Sequence, residues 1–329
     1  MERMTEANWE AGVSLDGLAM PKRIGVSINY GAHIWYQLIG ATEQELGKEL
    51  GIEVLVENAD MDVTGQDRQV EQLLRAGVDA LLYSAVEPAR AGATLNRALE
   101  AGIPVIAESI WLEHPAIIGT VMINDYAGGR KVGRAAGRRL TEQGVREARV
   151  LDVTAPWLAE GLRRSDGFLA GLRESFPDLR TTRRDGRADI ETSARVAAEV
   201  LRDDPSYNVV FGVDDESAIG ARQGYERLGI PLDEVLICSF GFSGPKAYDW
   251  LATGAYQIVC AMFPEYQARM LIHAAIYAYN RRLMPRHLVA PCVALMAEGL
   301  PDYYTRQPHG LQLNLEAVRR ISTDGESLG

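Results

Sequence analysis

Three carboxylates in a row, Asp214-Asp215-Glu216, close the apolar run Asn208–Val213. Such a triplet can hold a cation. It can equally cap a helix, because an aspartate at a helix start satisfies free amides and suits the dipole. Gly241-Phe242-Ser243-Gly244-Pro245 puts a serine in a glycine-bounded turn. It lacks the second glycine position of a nucleophile elbow, and Pro245 fits the first turn of a helix. Gly40 to Gly47-Lys48 is too long for a phosphate-binding loop and is followed by Glu49, which has no hydroxyl for magnesium. Gly128-Gly129-Arg130-Lys131-Val132-Gly133 reads as a helix with small residues for packing. His33, His114, His273, His287 and His309 show no metal-ligand spacing. No catalytic group, metal or cofactor is therefore assigned, and the chain reads as a binding protein, not an enzyme.

Binding chemistry is better represented. Two apolar runs end abruptly in small or acidic residues, Ala76–Ser84 and Asn208–Asp215. A buried parallel strand delivers its carboxyl end to a ligand in this way. Tyr30, His33, Trp111 and Trp157 fall in loops at predicted strand ends. They read either as packing between lobes or as aromatic faces for a less hydroxylated or cationic ligand.

The elements that must position these residues alternate. Arg23–Ile28 reads as a strand and Trp35–Leu50 as a helix stopped by Gly51, with Trp35, Leu38, Ile39, Leu46 and Leu50 on one face. Strand 53–57, helix 64–76, strand 80–83, helix 88–101, and strands 105–107 and 117–123 follow. Helix 126–141 restarts the pattern, which runs through strands 148–153, 180–184, 209–212 and 235–239 and their intervening helices. Helix 246–252, strand 256–262, helix 266–280 and strand 288–295 finish the ordered part. Alternation of this length means parallel βαβ units, here as two doubly wound α/β lobes. No Gly/Ser/Pro-rich linker separates them near Ile123–Asp125, so strand-like segments are expected to form the hinge. The expected division is 22–124 plus 263–287 and 125–262 plus 288–315. Residues 1–21 read as an extended or mobile leader, and 316–329 as a polar tail.

Composition sets the class. A chain of 329 residues with 47% hydrophobic content can fill two cores, and a net charge of -11 disfavours nucleic acid. No apolar stretch is long enough to span a membrane. The start lacks the apolar core of a secretory signal, so the expectation is a cytoplasmic chain or one whose signal was removed. Cys238, Cys260 and Cys292 sit in predicted strands without paired spacing and read as buried small hydrophobes.

Four stretches carry a resemblance across roughly Arg23 to Leu295. They are Ala101-Gly102-Ile103-Pro104-Val105-Ile106, Asn124-Asp125-Tyr126-Ala127-Gly128-Gly129, Arg164-Ser165-Asp166-Gly167-Phe168, and Phe211–Ala221. In this order and spacing the chain resembles the type I periplasmic-binding-protein superfamily, specifically the ribose-type sugar-binding proteins of ABC importers. The resemblance implies two lobes joined by three crossover segments, with a small ligand held in the cleft by hinge closure. It implies an ABC permease as partner, a monomer, and a periplasmic or lipid-anchored extracellular location. Residue by residue, it implies a stacking pair at Trp35-Tyr36 and polar contacts from Ser84, Glu108 and Ser109. From the second lobe it implies Arg164, Asp214 and Phe240; Tyr30, His33 and Trp157 join these as aromatic candidates. Three positions depart from the family pattern. Gly241 stands where an aspartate is implied, Met262 where a glutamine is, and Ile110 where an arginine is. Each removes hydrogen-bonding capacity, which argues against an ordinary pyranose aldose. Two further readings keep the fold: an accessory protein of a sensor kinase or chemoreceptor that binds an amine or amine oxide, and a LacI-type effector domain. The second would carry an N-terminal helix-turn-helix, for which the residues before Arg23 are too few.

Overall fold

The short apolar runs become parallel strands and the amphipathic segments between them become helices, as their periods dictate. The computed structural model describes residues 8–109, 112–308 and 310–321. Trp111, Ile110 and His309 therefore lie outside the described residues. The chain divides into two compact units. One runs to Ile123 and takes back Phe263–Pro291 and the segment from Val318; the other holds Asn124–Met262 and Cys292–Ala317.

The first unit begins β1 (Arg23–Ile28), α1 (Ile34–Leu50), β2 (Glu53–Asn58), α2 (Val63–Arg75), β3 (Ala80–Tyr83), α3 (Gly92–Glu100), β4 (Val105–Glu108) and β5 (Ile117–Ile123). The second continues α4 (Asp125–Glu142), β6 (Arg149–Thr154), α5 (Ala159–Arg173), β7 (Arg180–Asp185), α6 (Ile190–Asp203), β8 (Val209–Gly212), α7 (Asp215–Arg227), β9 (Leu236–Gly241), α8 (Gly244–Ala252) and β10 (Ile258–Ala261). Back in the first unit come α9 (Pro264–Tyr279) and β11 (His287–Ala290). The second then receives β12 (Val293–Leu295), α10 (Leu300–Tyr303) and the hairpin β13 (Tyr304–Gln307) and β14 (Gly310–Leu313). The last helix, α11 (Leu315–Arg319), divides between the units at Ala317.

Each unit is built on one six-stranded sheet, in the order β11-β5-β4-β3-β1-β2 and β12-β10-β9-β8-β6-β7. Within these two sheets all pairings are parallel except β10 with β12. Helices pack on both sheets, which explains the near-continuous apolar runs of the inner strands, while the edge strand β7 is polar and largely exposed. Among the described residues, no helix is long and apolar enough to cross a membrane. Cys238, Cys260 and Cys292 are buried, as their surroundings in sequence suggest.

Four stretches differ from the sequence reading. The strand read over 288–295 is two strands, β11 beside β5 and β12 beside β10. Pro291, which has no N–H for a ladder, sits at the break. The expected helix 88–101 opens as a 3-10 turn, Pro88–Arg90, before α3. Residues 8–21 are a docked segment, not a loose leader. A 3-10 turn at Trp9–Gly12 buries Asn8 and Glu10 against α9, and Trp9 meets Tyr277 edge-on at 5.4 Å. Residues 304–319, past the last strand read from the sequence, form β13, β14 and α11.

Candidate ligand-binding site

In the first unit, β1 runs into a loop carrying Tyr30 and His33. The His33 ring Nδ1 caps α1 by accepting from the Trp35 N–H at 3.1 Å. That cap fixes the first helical turn and the side chains on it. Tyr30, His33 and Tyr36 follow one another with ring centroids 6.3 and 6.4 Å apart, and Tyr30 is 41% exposed. Trp35, one residue from Tyr36, turns inward and is 6% exposed. The adjacent pair is thus split by helical phase: Trp35 anchors α1 and Tyr36 remains half-buried beside His33.

Ser84 and Glu108 follow β3 and end β4, neighbouring strands whose register pairs Tyr83 with Ala107. Both are buried. Ser109, the next residue, is partly exposed and takes a left-handed φ of 57°. Its N–H donates to the Val121 carbonyl at 2.8 Å, and its Oγ accepts from the Gln267 side-chain amide at 3.2 Å. Gln267 also donates to Glu108 at 3.4 Å. Burial pushes the Glu108 carboxyl up to about 8, with the Gln267 hydrogen bond opposing. On the sheet's other face Gln66 supports the same strand ends. It donates to the Ser27 Oγ and the Ser84 carbonyl, and accepts from the Val86 N–H.

In the second unit, the glycines read as packing residues let α4 and α5 approach backbone to backbone. A Cβ on Gly129 would stand 2.2 Å from the Arg164 carbonyl oxygen, and one on Gly133 2.1 Å from that of Phe168. This approach carries Arg164 to the N-terminus of α4. There its Nε donates to Asp125 at 2.8 Å and its Nη1 to the Val213 carbonyl at 3.2 Å. Burial raises the Asp125 carboxyl, with the Arg164 guanidinium opposing. The guanidinium also covers the Phe240 ring at 4.3 Å. Phe240 itself is fully buried, so it props the arginine from beneath.

Of the acidic triplet, Asp214 caps α7 by accepting from the Ser217 N–H at 2.7 Å and stays partly exposed. Asp215 is buried. It accepts from the Ser239 hydroxyl at 2.9 Å, the Phe242 N–H at 2.9 Å and the Ser243 N–H at 3.3 Å. Burial first, then Glu216, pushes its carboxyl up to about 7, while the Ser239 and Ser243 bonds oppose. This arrangement explains one departure. Gly241 has a φ of +132°, and a Cβ there would sit 3.1 Å from the Asp215 carboxylate. The strand end that the resemblance implied would bear an aspartate is bound instead by the carboxylate of Asp215. Restoring an aspartate with Gly241→Asp is expected to cost about 2 kcal/mol through backbone strain and like charge. A urea midpoint equal to wild type would contradict this account of the turn. Met262, a second departure, is buried where the chain leaves this unit, ahead of Phe263 at a left-handed φ of 55°. Trp157, after β6, is 59% exposed.

Sequence reading missed Asp125 as the partner of Arg164, and Gln66, Gln267 and Glu43 as buried polar residues. The only available signal was a polar residue on the apolar phase of an amphipathic helix.

Comparison with known proteins agrees with this architecture. The model of a family described as "Periplasmic binding protein domain" matches residues 24–281. The xylitol-binding protein of Mycolicibacterium smegmatis is 26% identical over 213 residues, which span 63% of this chain and 59% of that protein. The ribose import binding protein of Bacillus subtilis is 22% identical over 269 residues, 82% of this chain and 85% of that one. Among solved structures, an ABC transporter periplasmic solute-binding protein from Actinobacillus succinogenes with bound D-allose superposes with a TM-score of 0.77 at 20% identity. It covers 85% of this chain and 99% of its own. The family match spans well over half of the sequence, and the chain belongs to the periplasmic-binding-protein family.

Proposed function

We propose that this protein captures a sugar or polyol and delivers it to the membrane permease of an ABC importer, as a monomer working outside the cytoplasmic membrane. No covalent chemistry is involved. The observation that carries this reading is the family match over residues 24–281, taken with the side chains at the carboxyl ends of both sheets. Binding draws on Tyr30, His33, Tyr36 and Ser109 of the first unit and on Trp157, Arg164 and Asp214 of the second. Trp35, Ser84, Glu108 and Phe240 act from beneath, holding those groups in place. Aromatic faces take the C–H surface of a polyol, and the remaining donors of Arg164 suit vicinal hydroxyls. Relatives named for xylitol and ribose binding, and a structural neighbour holding D-allose, support that ligand class.

Melting in the presence of xylitol, D-ribose and D-allose tests the class. Ligand at about a hundred times Kd adds roughly 2.7 kcal/mol to the native state, a rise of several degrees. A panel of sugars and polyols that leaves the melting temperature unmoved, while an amine or amine oxide raises it, would overturn the proposal.

A further inference from the structure

The face of the first sheet under α1 and α9 contains a buried polar cluster. Leu81, Tyr83, Val105 and Ala107 pack with α2 and α3 on one face of β3 and β4. Side chains alternate along a strand, so Ser84 and Glu108 turn to the opposite face, where α9 lies over β3, β4 and β5 and packs on α1. The Gln267 bond to Glu108 fixes that direction. From α1 comes Glu43, 0% exposed, with neither carboxylate oxygen hydrogen-bonded. The Ser84 Oγ and the Gln267 Oε1 are likewise buried without a partner. Burial first, and Glu108 second, raise the Glu43 carboxyl well above the carboxylate range.

Among the described residues, no cation faces this cluster. Glu45, Lys48 and Glu49 of α1 are exposed, Arg269 and His273 of α9 turn to Glu10, and Glu265 is in the first turn of α9, partly buried. Tyr83 is on the other sheet face, and β5 has no titratable side chain. The cluster thus holds more acceptors than donors. The missing donor is a proton, because a protonated carboxyl bonds to a carboxylate where two bare carboxylates repel.

We propose that Glu43 and Glu108 form a buried carboxyl pair that retains a proton through neutral pH and, with Gln267, positions the strand end at Ser109. Ser109 is a ligand contact in the function proposed above, and the inference rests on that reading for its consequence. Losing the proton in alkali puts two charges under β3 and β4 and displaces that strand end. Solute affinity therefore falls as pH rises. Glu43 and Glu108 are positioning residues, acting on the ligand through Ser109.

The sign follows from linkage. A carboxyl raised in the native state keeps a proton that the unfolded chain releases near pH 4.5, so stability falls with pH up to the native value. Between pH 5 and 9 the wild-type melting temperature is expected to fall about 5 °C more than that of Glu43→Gln, whose amide donates permanently. Infrared spectra of the wild type should show a protonated-carboxyl band at pH 7 that weakens by pH 9 and is reduced in Glu43→Gln or Glu108→Gln. Xylitol affinity should drop several-fold over the same range in wild type and hold level in Glu43→Gln. Parallel melting profiles for wild type and variant, or no such band in the wild type, would overturn the proposal. So would melting that rises with sodium at constant ionic strength, which would assign the cluster to a bound cation. If xylitol and the other polyols bind at no pH, the function above fails, while melting and infrared still decide the proton.

Discussion

Gly129→Ala is expected to cost the second unit about 3 kcal/mol or more and to weaken ligand binding with it. A methyl group at this position would lie 2.2 Å from the Arg164 carbonyl oxygen and 2.9 Å from the Phe168 nitrogen. Both atoms belong to the backbone of α5, which cannot rotate away as a side chain would. The helices must separate, and overpacking of that kind costs about 1–3 kcal/mol even where side chains yield. Alanine recovers about 1 kcal/mol of helix propensity, so the steric effect wins. Separation also draws Arg164 from Asp125, which is why affinity should fall with stability. Chemical denaturation checks the first effect. A variant as stable as wild type would mean that α4 and α5 are not packed this closely.

Glu10→Gln is expected to lose a similar amount, about 3 kcal/mol, from the first unit. Glu10 is buried, with Arg269 at 2.9 Å and Arg319 at 3.2 Å. The Tyr266 hydroxyl also reaches it and accepts in turn from the Asn8 amide at 2.8 Å. Although burial alone would raise this carboxyl, bonds from His273, Arg319 and Tyr266 hold it down to about 2. A shift of that size, from 4.5 to about 2, corresponds to about 3 kcal/mol. Because the native value is depressed, this stability is full above about pH 4.5 and is lost as pH falls toward about 2. The gap in urea midpoint between wild type and Glu10→Gln should therefore be wide at pH 7 and narrow near pH 2.5. A gap independent of pH would show that the cluster is not held by the ionised carboxylate.

These two sites differ in how far the sequence revealed them. The glycines of α4 were readable as packing residues, because small residues at helical spacing have few other uses. Their partners Gly167 and Gly171 on α5 could be recognised only once α5 was laid alongside. Glu10 was hidden: residues 8–21 bury polar side chains, so no apolar period marks the segment as docked. The strands and most helices were legible because burial on both faces leaves long apolar runs. The break at Pro291-Cys292 was not, since the two strands it separates are equally apolar and belong to different sheets.

Within the candidate site, residue identity carried further than side-chain direction. Arg164 was found by its motif, but its partner Asp125 lies 39 positions away, on another helix. Trp35 and Tyr36 are adjacent, yet helical phase sends one inward and leaves the other partly open. Asp214 and Asp215 separate in the same manner, one capping α7 and the other binding the turn after β9. Each of these distinctions depends on the angle at which a helix leaves its strand. That angle is set by tertiary packing.

Titration calorimetry with xylitol on the wild type, Tyr36→Ala and Arg164→Ala tests the central claim most directly. The account predicts saturable one-site binding by the wild type. Affinity should fall about tenfold in Tyr36→Ala and about tenfold to a hundredfold in Arg164→Ala, the range for a lost ring contact and a lost charged hydrogen bond. Both variants should remain folded. Affinity for xylitol, or for another polyol or sugar that raises the melting temperature, left unchanged in both variants would contradict it.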